Sequence, residues 1–167
     1  MVPIYYNYLD TPVGRLWVAA TERGLYRVTL GPSEGEFLTS LRRFGGEPER
    51  DEGPFRELFN RLRDYFRGVP TSFSDLALDL RGTEFQRAVW RAVAEIPYGR
   101  VSTYKEIAAR VGRPRAYRAV GNAVGRNRLM IVVPCHRVVR ADGRIGGFGG
   151  GVEVKRYLLR LEGLDRF

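Results

Sequence analysis

The chain has 167 residues, of which 44% are hydrophobic, and a formal net charge of +9. This length suits one domain of ordinary size or two small ones with a buried core. No apolar run approaches the ~18 residues of a membrane span, and the N-terminus lacks the features of a secretory signal. One cysteine excludes an internal disulfide, and one cysteine with one histidine are too few for a structural zinc site. We therefore expect a cytoplasmic protein with no metal, no cofactor and no membrane partner.

The positive charge lies in one half of the chain. Residues 1–80 contain 10 Arg and 12 acidic residues, whereas residues 81–167 contain 18 Lys or Arg and 7 acidic residues. A field of that sign attracts polyphosphates, either a nucleic acid or an anionic membrane surface. A generally basic surface would not predict a slightly acidic first half. The charge pattern therefore favours a nucleic acid as partner.

The first half begins with a predicted three-stranded meander. Alternating apolar residues predict strands at residues 4–9, 15–20 and 25–30, with turn residues between them. A helix is then predicted at residues 34–44.

A second helix starts with Pro54 in its first turn and ends before Gly68. Its large apolar residues recur on one face, and we interpret them as core. They are Phe55, Leu58, Phe59, Leu62, Tyr65 and Phe66. Residues 71–82 join the two halves, and residues 76–80 fit a strand. We place a domain boundary here, with one domain over residues 1–78 and the other over residues 79–167.

Two capping boxes begin helices in the second half, because a Thr is followed three residues later by Gln or Glu. They are Thr83 with Gln86 and Thr103 with Glu106. Gly112 ends the second of these helices, and Pro114 is predicted to start another that runs to Gly125. Two helices joined by a tight glycine-containing turn, with arginines on the second, indicate a helix-turn-helix. The small residues of the second helix suit either close approach to a nucleic acid or tight packing on neighbouring helices.

Cys135 and His136 are the only cysteine and the only histidine, and they are adjacent. A thiol with a pKa near 8.5 is only a few per cent ionised at pH 7, so a nucleophilic cysteine needs a group that takes its proton. Adjacent side chains do not face each other in a regular helix or strand. The two groups would therefore communicate through a water or a turn induced by Pro134. A small buried cysteine beside a hydrogen-bonded histidine is the alternative interpretation.

Several short motifs surround this pair. They are PCHRVV at residues 134–139, RAVG at 118–121, Asn127, GGF at 146–148 and LRLEG at 159–163. In order and spacing they resemble the O6-alkylguanine-DNA alkyltransferases, also called methylated-DNA–protein-cysteine methyltransferases. The resemblance covers about residues 83–163 and is weaker in the first half. It implies an α+β fold, with an N-terminal ribonuclease-H-like sheet plus helices and a C-terminal winged-helix-like domain that contains the helix-turn-helix.

The resemblance also implies an activity, direct-reversal DNA repair. The alkyl group of O6-alkylguanine, and of O4-alkylthymine, would pass irreversibly to Cys135, once per chain, after the nucleotide has been flipped out of the duplex. His136 and a water would take the thiol proton, and Glu162 would fix the imidazole tautomer. Asn127 would tie the recognition helix to the loop before Cys135.

Further roles implied by the resemblance concern DNA and the base. The chain would act as a monomer on the minor groove of double-stranded DNA, where Arg118 would fill the space left by the flipped base. Tyr104 would crowd the 3′ phosphate and hydrogen-bond the base. The other residues assigned to DNA binding are Arg115, Ala119, Gly121 and Asn122.

The substrate pocket implied by the resemblance consists of Tyr104, Pro134, Val138, Phe148 and Gly149. The carbonyls of Cys135 and Val138 would accept hydrogen bonds from the guanine amino group, and a backbone N–H near Gly149 would donate to the guanine oxygen. Many relatives have Tyr in place of Phe148 and Ser in place of Gly149. A hydroxyl contact to the base would then be absent and the pocket roomier.

Three other classes of protein share some of these sequence features. A binding-only alkyltransferase-like protein would lack the cysteine. A helix-turn-helix transcription factor would explain the charge but not the single Cys-His pair. A cysteine hydrolase would need an oxyanion hole and would turn over.

Overall fold

The N-terminal sheet has four strands. The computed structural model describes residues 3–43 and 46–167, and its first three strands are β1 (Ile4–Thr11), β2 (Gly14–Thr21) and β3 (Gly24–Leu30). The predicted meander is therefore confirmed. A fourth strand, β4 (Pro48–Arg50), pairs parallel with β1, which gives the order β3-β2-β1-β4. The sequence did not predict β4, because its three residues have no alternating apolar pattern.

Two helices cover opposite faces of this sheet. The helix α1 (Glu34–Arg42) begins at a capping box formed by Ser33, and the predicted end at Phe44 lies outside the described residues. The helix α2 (Arg56–Phe66) begins after a 3₁₀ turn (Gly53–Phe55), so Pro54 precedes the α-helix. Successive strand residues point to opposite faces. Trp17 accordingly packs in the cluster that contains α1 residues, and Val18 in the cluster that contains α2 residues.

The segment that joins the halves is not a strand. Only Leu78 makes a bridge, to Leu25 of β3, through two backbone hydrogen bonds: Leu25 donates to Ala77 (2.9 Å) and Asp79 donates to Leu25 (2.7 Å). The backbones approach so closely that a Cβ on Gly24 would lie 2.3 Å from the Ala77 carbonyl oxygen. The predicted strand at residues 76–80 was wrong because one bridge does not continue into a ladder.

The second half is mainly helical. Its helices are α3 (Glu84–Ala94), α4 (Tyr104–Arg110), α5 (Tyr117–Gly125) and α6 (Val152–Leu161). Two short parallel strands, β5 (Ser102–Thr103) and β6 (Val138–Val139), pair beside them. Both predicted capping boxes are present. The helices α4 and α5 form the predicted helix-turn-helix, although α5 begins three residues after Pro114, and Arg115 lies in the turn.

The two halves share one core. Val28 of β3 donates to the Arg128 carbonyl (2.8 Å), and Met130 donates back to Val28 (3.0 Å). Apolar residues of β2, β3, α2, α3, α4 and α5 belong to one continuous cluster. The boundary between residues 78 and 79 therefore stays a prediction. None of the helices in the described part of the chain is long and apolar enough to cross a membrane.

Candidate active site

Cys135 begins a 3₁₀ turn (Cys135–Arg137) that follows Pro134, and its side chain is buried. Asn127, just after α5, fixes the segment before it: its Nδ2 donates to the Val133 carbonyl (2.9 Å), and its Oδ1 accepts from the Leu129 amide (3.0 Å). Asn127 also acts on the thiol, because it lowers the pKa of Cys135. The predicted tie between the recognition helix and the cysteine loop thus has a geometric basis.

His136, fully buried in the same turn, contacts a carboxylate from the end of α6. Its Nε2 lies 2.5 Å from Oε2 of Glu162. Nδ1 has no hydrogen-bond partner among the described residues. With the Nε2 proton directed at the carboxylate, Nδ1 is left as a buried acceptor. Cys135 and His136 thus lie in a 3₁₀ turn and not in a regular α-helix or β-strand.

Glu162 accepts hydrogen bonds at both oxygens. Oε2 accepts from the Tyr65 hydroxyl (2.6 Å) as well as from His136, and Oε1 accepts from Nε of Arg137 (2.8 Å) and the Gly99 amide (2.9 Å). Burial alone would raise the pKa of this carboxyl, but the hydrogen bonds from His136 and Arg137 and the charge of Arg137 outweigh it and lower the pKa to about 2. Glu162 is therefore ionised at neutral pH.

Burial keeps the two reactive groups neutral at rest. It raises the pKa of the Cys135 thiol, against the opposing effects of Asn127 and Lys155. It lowers the pKa of His136, against the opposing effect of Glu162. The resting pair is therefore a protonated thiol and a neutral imidazole. The thiol must lose its proton to become a nucleophile, and the neutral imidazole is able to accept a proton.

Lys155 of α6 is fully buried beside this pair. Its Nζ donates to the carbonyls of Val138 (2.6 Å) and Gly147 (3.1 Å), and burial lowers its pKa to about 8. The Val138 carbonyl, to which the predictions assign a contact with a guanine amino group, is thus hydrogen-bonded by Lys155 within the protein.

A cavity of about 520 Å³ opens in front of Cys135. It is lined by Val28, Thr29, Leu30, Tyr104, Gly121, Val124, Gly125, Asn127, Met130, Cys135 and residues 147–150. Three predicted pocket residues, Tyr104, Phe148 and Gly149, are among them. Pro134 instead lines a different cavity, with Ile96 and Arg137, and Val138 is buried and does not line the cavity in front of Cys135.

The glycine loop and Tyr104 form one wall of this cavity. Gly146 has a φ of +78°, and a Cβ there would lie 3.1 Å from the Tyr104 hydroxyl. Only glycine adopts that conformation readily and leaves room for the hydroxyl. Burial, and then the nearby Cys135, raise the pKa of Tyr104, so its hydroxyl remains a hydrogen-bond donor.

The helix α5 carries the predicted DNA-binding residues on its outer side. Arg118, Ala119 and Asn122 are exposed, as is Arg115 in the preceding turn. Gly121 lines the cavity, and a Cβ added to it would lie 3.9 Å from the Tyr104 ring. Arg118 makes no hydrogen bond or salt bridge with any part of the chain that the structure describes. The inner side of α5, at Gly121, Val124 and Gly125, thus lines the same cavity as Cys135.

Sequence reasoning missed three side chains of the site. Tyr65 was interpreted as core, and it is buried, but its hydroxyl also reaches Glu162 and His136. Arg137 and Lys155 were not singled out, because a charged residue is exposed by default. Only the apolar residues around Lys155 in α6 were a signal.

Comparison with known proteins identifies the family. Residues 84–164 match the model of the 6-O-methylguanine DNA methyltransferase DNA-binding domain, and residues 4–80 match that of the ribonuclease-like domain of the same family. The chain belongs to the 6-O-methylguanine DNA methyltransferase family. The predicted fold class, with a ribonuclease-like first half and a helix-turn-helix second half, is thereby confirmed.

Relatives in this family are similar over almost their whole length. The methylated-DNA–protein-cysteine methyltransferase of Methanosarcina barkeri is 43% identical over 161 residues, which cover 95% of this chain and 97% of that protein. The protein of that name from Mycobacterium tuberculosis is 44% identical over 166 residues, covering 95% and 92%. The crystal structure of Mycobacterium tuberculosis OGT in complex with DNA superposes with a TM-score of 0.82 at 41% identity, covering 95% of this chain and 93% of that one.

Proposed function

We infer that this protein repairs DNA by transferring the alkyl group of O6-alkylguanine to Cys135, once per chain. One observation carries the proposal: a buried thiol, next to a buried His-Glu pair, lines a cavity that adjoins the exposed helix of a helix-turn-helix. The family and the DNA complex of the M. tuberculosis relative support the same reaction and the same partner.

His136 acts as the base in this proposal. Its Nδ1 takes the Cys135 proton through one water, because Nε2 is committed to Glu162. The imidazolium that forms is stabilised by the Glu162 anion. Glu162 thus orients the imidazole before the reaction and compensates its charge during it.

The transfer step balances without a co-reactant. The thiolate sulfur forms a bond to the alkyl carbon, the bond from that carbon to the guanine oxygen breaks, and its electron pair goes to the oxygen and ring of guanine. A ring nitrogen takes up a proton, so guanine is restored. The thioether product has no electrophilic carbonyl, so no group in an acid-base site can regenerate the thiol.

A base inside a duplex does not reach the cavity, so the nucleotide must rotate out of the stack. Arg118 is free to enter the gap, since it is exposed and engaged with none of the described residues. Tyr104 and a backbone N–H near Gly149 line the space that receives the base, and the N–H stabilises the departing oxygen. We propose a monomer that acts from the minor groove, in the cytoplasm.

The cavity also bears on substrate range. With about 520 Å³, and with Phe148 and Gly149 in place of hydroxyl-bearing residues, it has room for adducts larger than methyl. We propose that O4-alkylthymine and bulkier O6-alkylguanines are accepted as well as O6-methylguanine.

Intact mass spectrometry tests the reaction. After incubation with O6-methylguanine duplex DNA, each chain should gain one methylene, mapped to Cys135, and no second turnover should follow. Cys135→Ser is the control: it should abolish the gain and leave binding to the lesion DNA largely intact, because the thiol provides chemistry and little contact area. A gain that survives in Cys135→Ser, or sustained turnover as in a hydrolase, would contradict the proposal.

A further inference from the structure

Tyr65 brings the first half of the chain into the active site. It lies in α2, its side chain is fully buried, and its hydroxyl lies 2.6 Å from Oε2 of Glu162 and 3.3 Å from Nε2 of His136. These three groups are 26 to 97 residues apart in sequence. One hydroxyl therefore touches both members of the pair on which proton transfer depends.

The hydrogen positions follow from the charges. Glu162 is ionised, so it only accepts, and the Tyr65 hydroxyl must donate to it. Burial and the neighbouring Glu162 raise the pKa of Tyr65, so the hydroxyl keeps its proton. The lone pairs of the Tyr65 oxygen then face Nε2 of His136. Two acceptors at Nε2 hold the imidazole proton there and leave Nδ1 as the base.

We propose that Tyr65 is a positioning residue that, together with Glu162, fixes the tautomer and orientation of His136; this rests on the proposed alkyl transfer for its kinetic consequence only. The hydroxyl also restrains the carboxylate. Oε1 is already fixed by Arg137 and the Gly99 amide, whereas Oε2 has only His136 and Tyr65 as donors among the residues that the structure describes. Without the hydroxyl, one donor to Oε2 is lost and the negative charge near Nε2 is less compensated.

Packing alone does not account for a tyrosine here. The ring makes edge contacts with Phe66, Phe73 and Tyr98, with centroids 5.4 to 6.2 Å apart, and phenylalanine would keep all three. The charged and titratable groups around His136 come from four places in the chain: Tyr65 of α2, Lys155 of α6, Glu162 after α6, and Cys135 and Arg137 of its own turn.

The kinetic test uses Tyr65→Phe with Tyr98→Phe as the matched control. The Tyr98→Phe variant also loses a tyrosine hydroxyl close to the site. That hydroxyl donates to the backbone carbonyls of Leu161 and Gly68 and not to the His-Glu pair. We expect Tyr65→Phe to slow transfer from O6-methylguanine duplex DNA roughly tenfold at pH 7, the order of one hydrogen bond to a charged group. Tyr98→Phe should change the rate by less than about twofold.

The pH profile separates positioning from a structural effect. Less compensated charge on Glu162 favours the imidazolium, which raises the pKa of His136 in Tyr65→Phe. Since the neutral imidazole is the base, the acid limb of the rate profile should move to higher pH, and the loss should shrink at alkaline pH. An equal loss at every pH, or no loss, would overturn the proposal.

A spectroscopic test does not depend on the reaction. Because His136 is the only histidine, ¹⁵N-imidazole labelling gives one pair of ring signals without assignment. In the wild type, Nε2 of His136 should carry the proton at neutral pH. In Tyr65→Phe, the His136 imidazole should titrate at higher pH than in the wild type. A wild-type imidazole protonated on Nδ1 would refute the inference even if the variant did not fold. If the wild type failed to transfer an alkyl group but gave the expected signals, only the proposed function would be wrong.

Discussion

Replacing Glu162 with glutamine should destabilise the protein strongly, although the two side chains have nearly the same shape. The carboxylate accepts four hydrogen bonds, from His136, Tyr65, Arg137 and the Gly99 amide. The glutamine amide offers one oxygen, and its NH₂ group can accept none. Two of the four donors would therefore face another donor, in a place that water does not reach.

The expected magnitude follows from the ion pair with Arg137. Glu162 is 6% exposed and Arg137 is 5% exposed, so the guanidinium would keep a buried charge without its partner. Breaking a buried pair in this way costs roughly 3–5 kcal/mol. For a chain of this size each kcal/mol lowers Tm by about 2–4 °C, so Glu162→Gln should lower Tm by about 6–20 °C.

Glu153→Gln is the matched control on the same helix. Glu153 pairs with Arg156, but its side chain is 87% exposed, and an exposed pair contributes about 0–1 kcal/mol. Urea denaturation and thermal unfolding of both variants provide the comparison. A Glu162→Gln variant no less stable than Glu153→Gln would refute the buried network as described.

Three further predictions concern DNA and pH. Arg118→Ala should slow transfer from duplex DNA far more than transfer from free O6-benzylguanine, because only the duplex has a gap to fill; equal losses would assign Arg118 to the fold or the pocket. DNA affinity should fall with salt with a slope corresponding to roughly three to six phosphates at about 0.9 each, and a salt-independent affinity would contradict binding through arginines. The stability that Glu162 contributes should be complete above its usual pKa of 4.5 and be lost as pH falls toward 2, so acid unfolding of Glu162→Gln should be less steep in that window.

Local sequence patterns correctly predicted the strands and helices that are determined by interactions between residues close in sequence. The strands β1 to β3 were predictable because each alternates between two buried faces, and the helices α3 and α4 because a Thr and a Gln or Glu at fixed spacing satisfy the first turn of each. The start of α5 was misplaced since Pro114 fits a turn as well as a first helical turn. The strand β4 depends on pairing with β1 and leaves no pattern of its own.

The reactive pair was predictable because its residue types are unique in the chain, whereas its surroundings were not. Tyr65 has the helical spacing of a core residue, and spacing describes the ring but not a hydroxyl whose partner lies 97 residues away. A lysine is exposed by default, yet α6 packs so that the ammonium group of Lys155 donates to two carbonyls. Polar contacts between residues far apart in sequence depend on tertiary packing. The spacing of apolar residues along one helix or strand does not predict them.

The neutral resting state suits a protein that reacts only once. A permanently ionised thiol would be open to any small electrophile, and each such reaction would inactivate one chain. Here burial raises the pKa of Cys135 and lowers that of His136, so proton transfer between them is unfavourable in the resting protein. The Glu162 anion is already in place to stabilise the imidazolium when it forms. Selectivity would then come from the cavity that admits the flipped base. Reactivity would come from the Cys135 thiolate and the His136 imidazolium, which exist only during transfer.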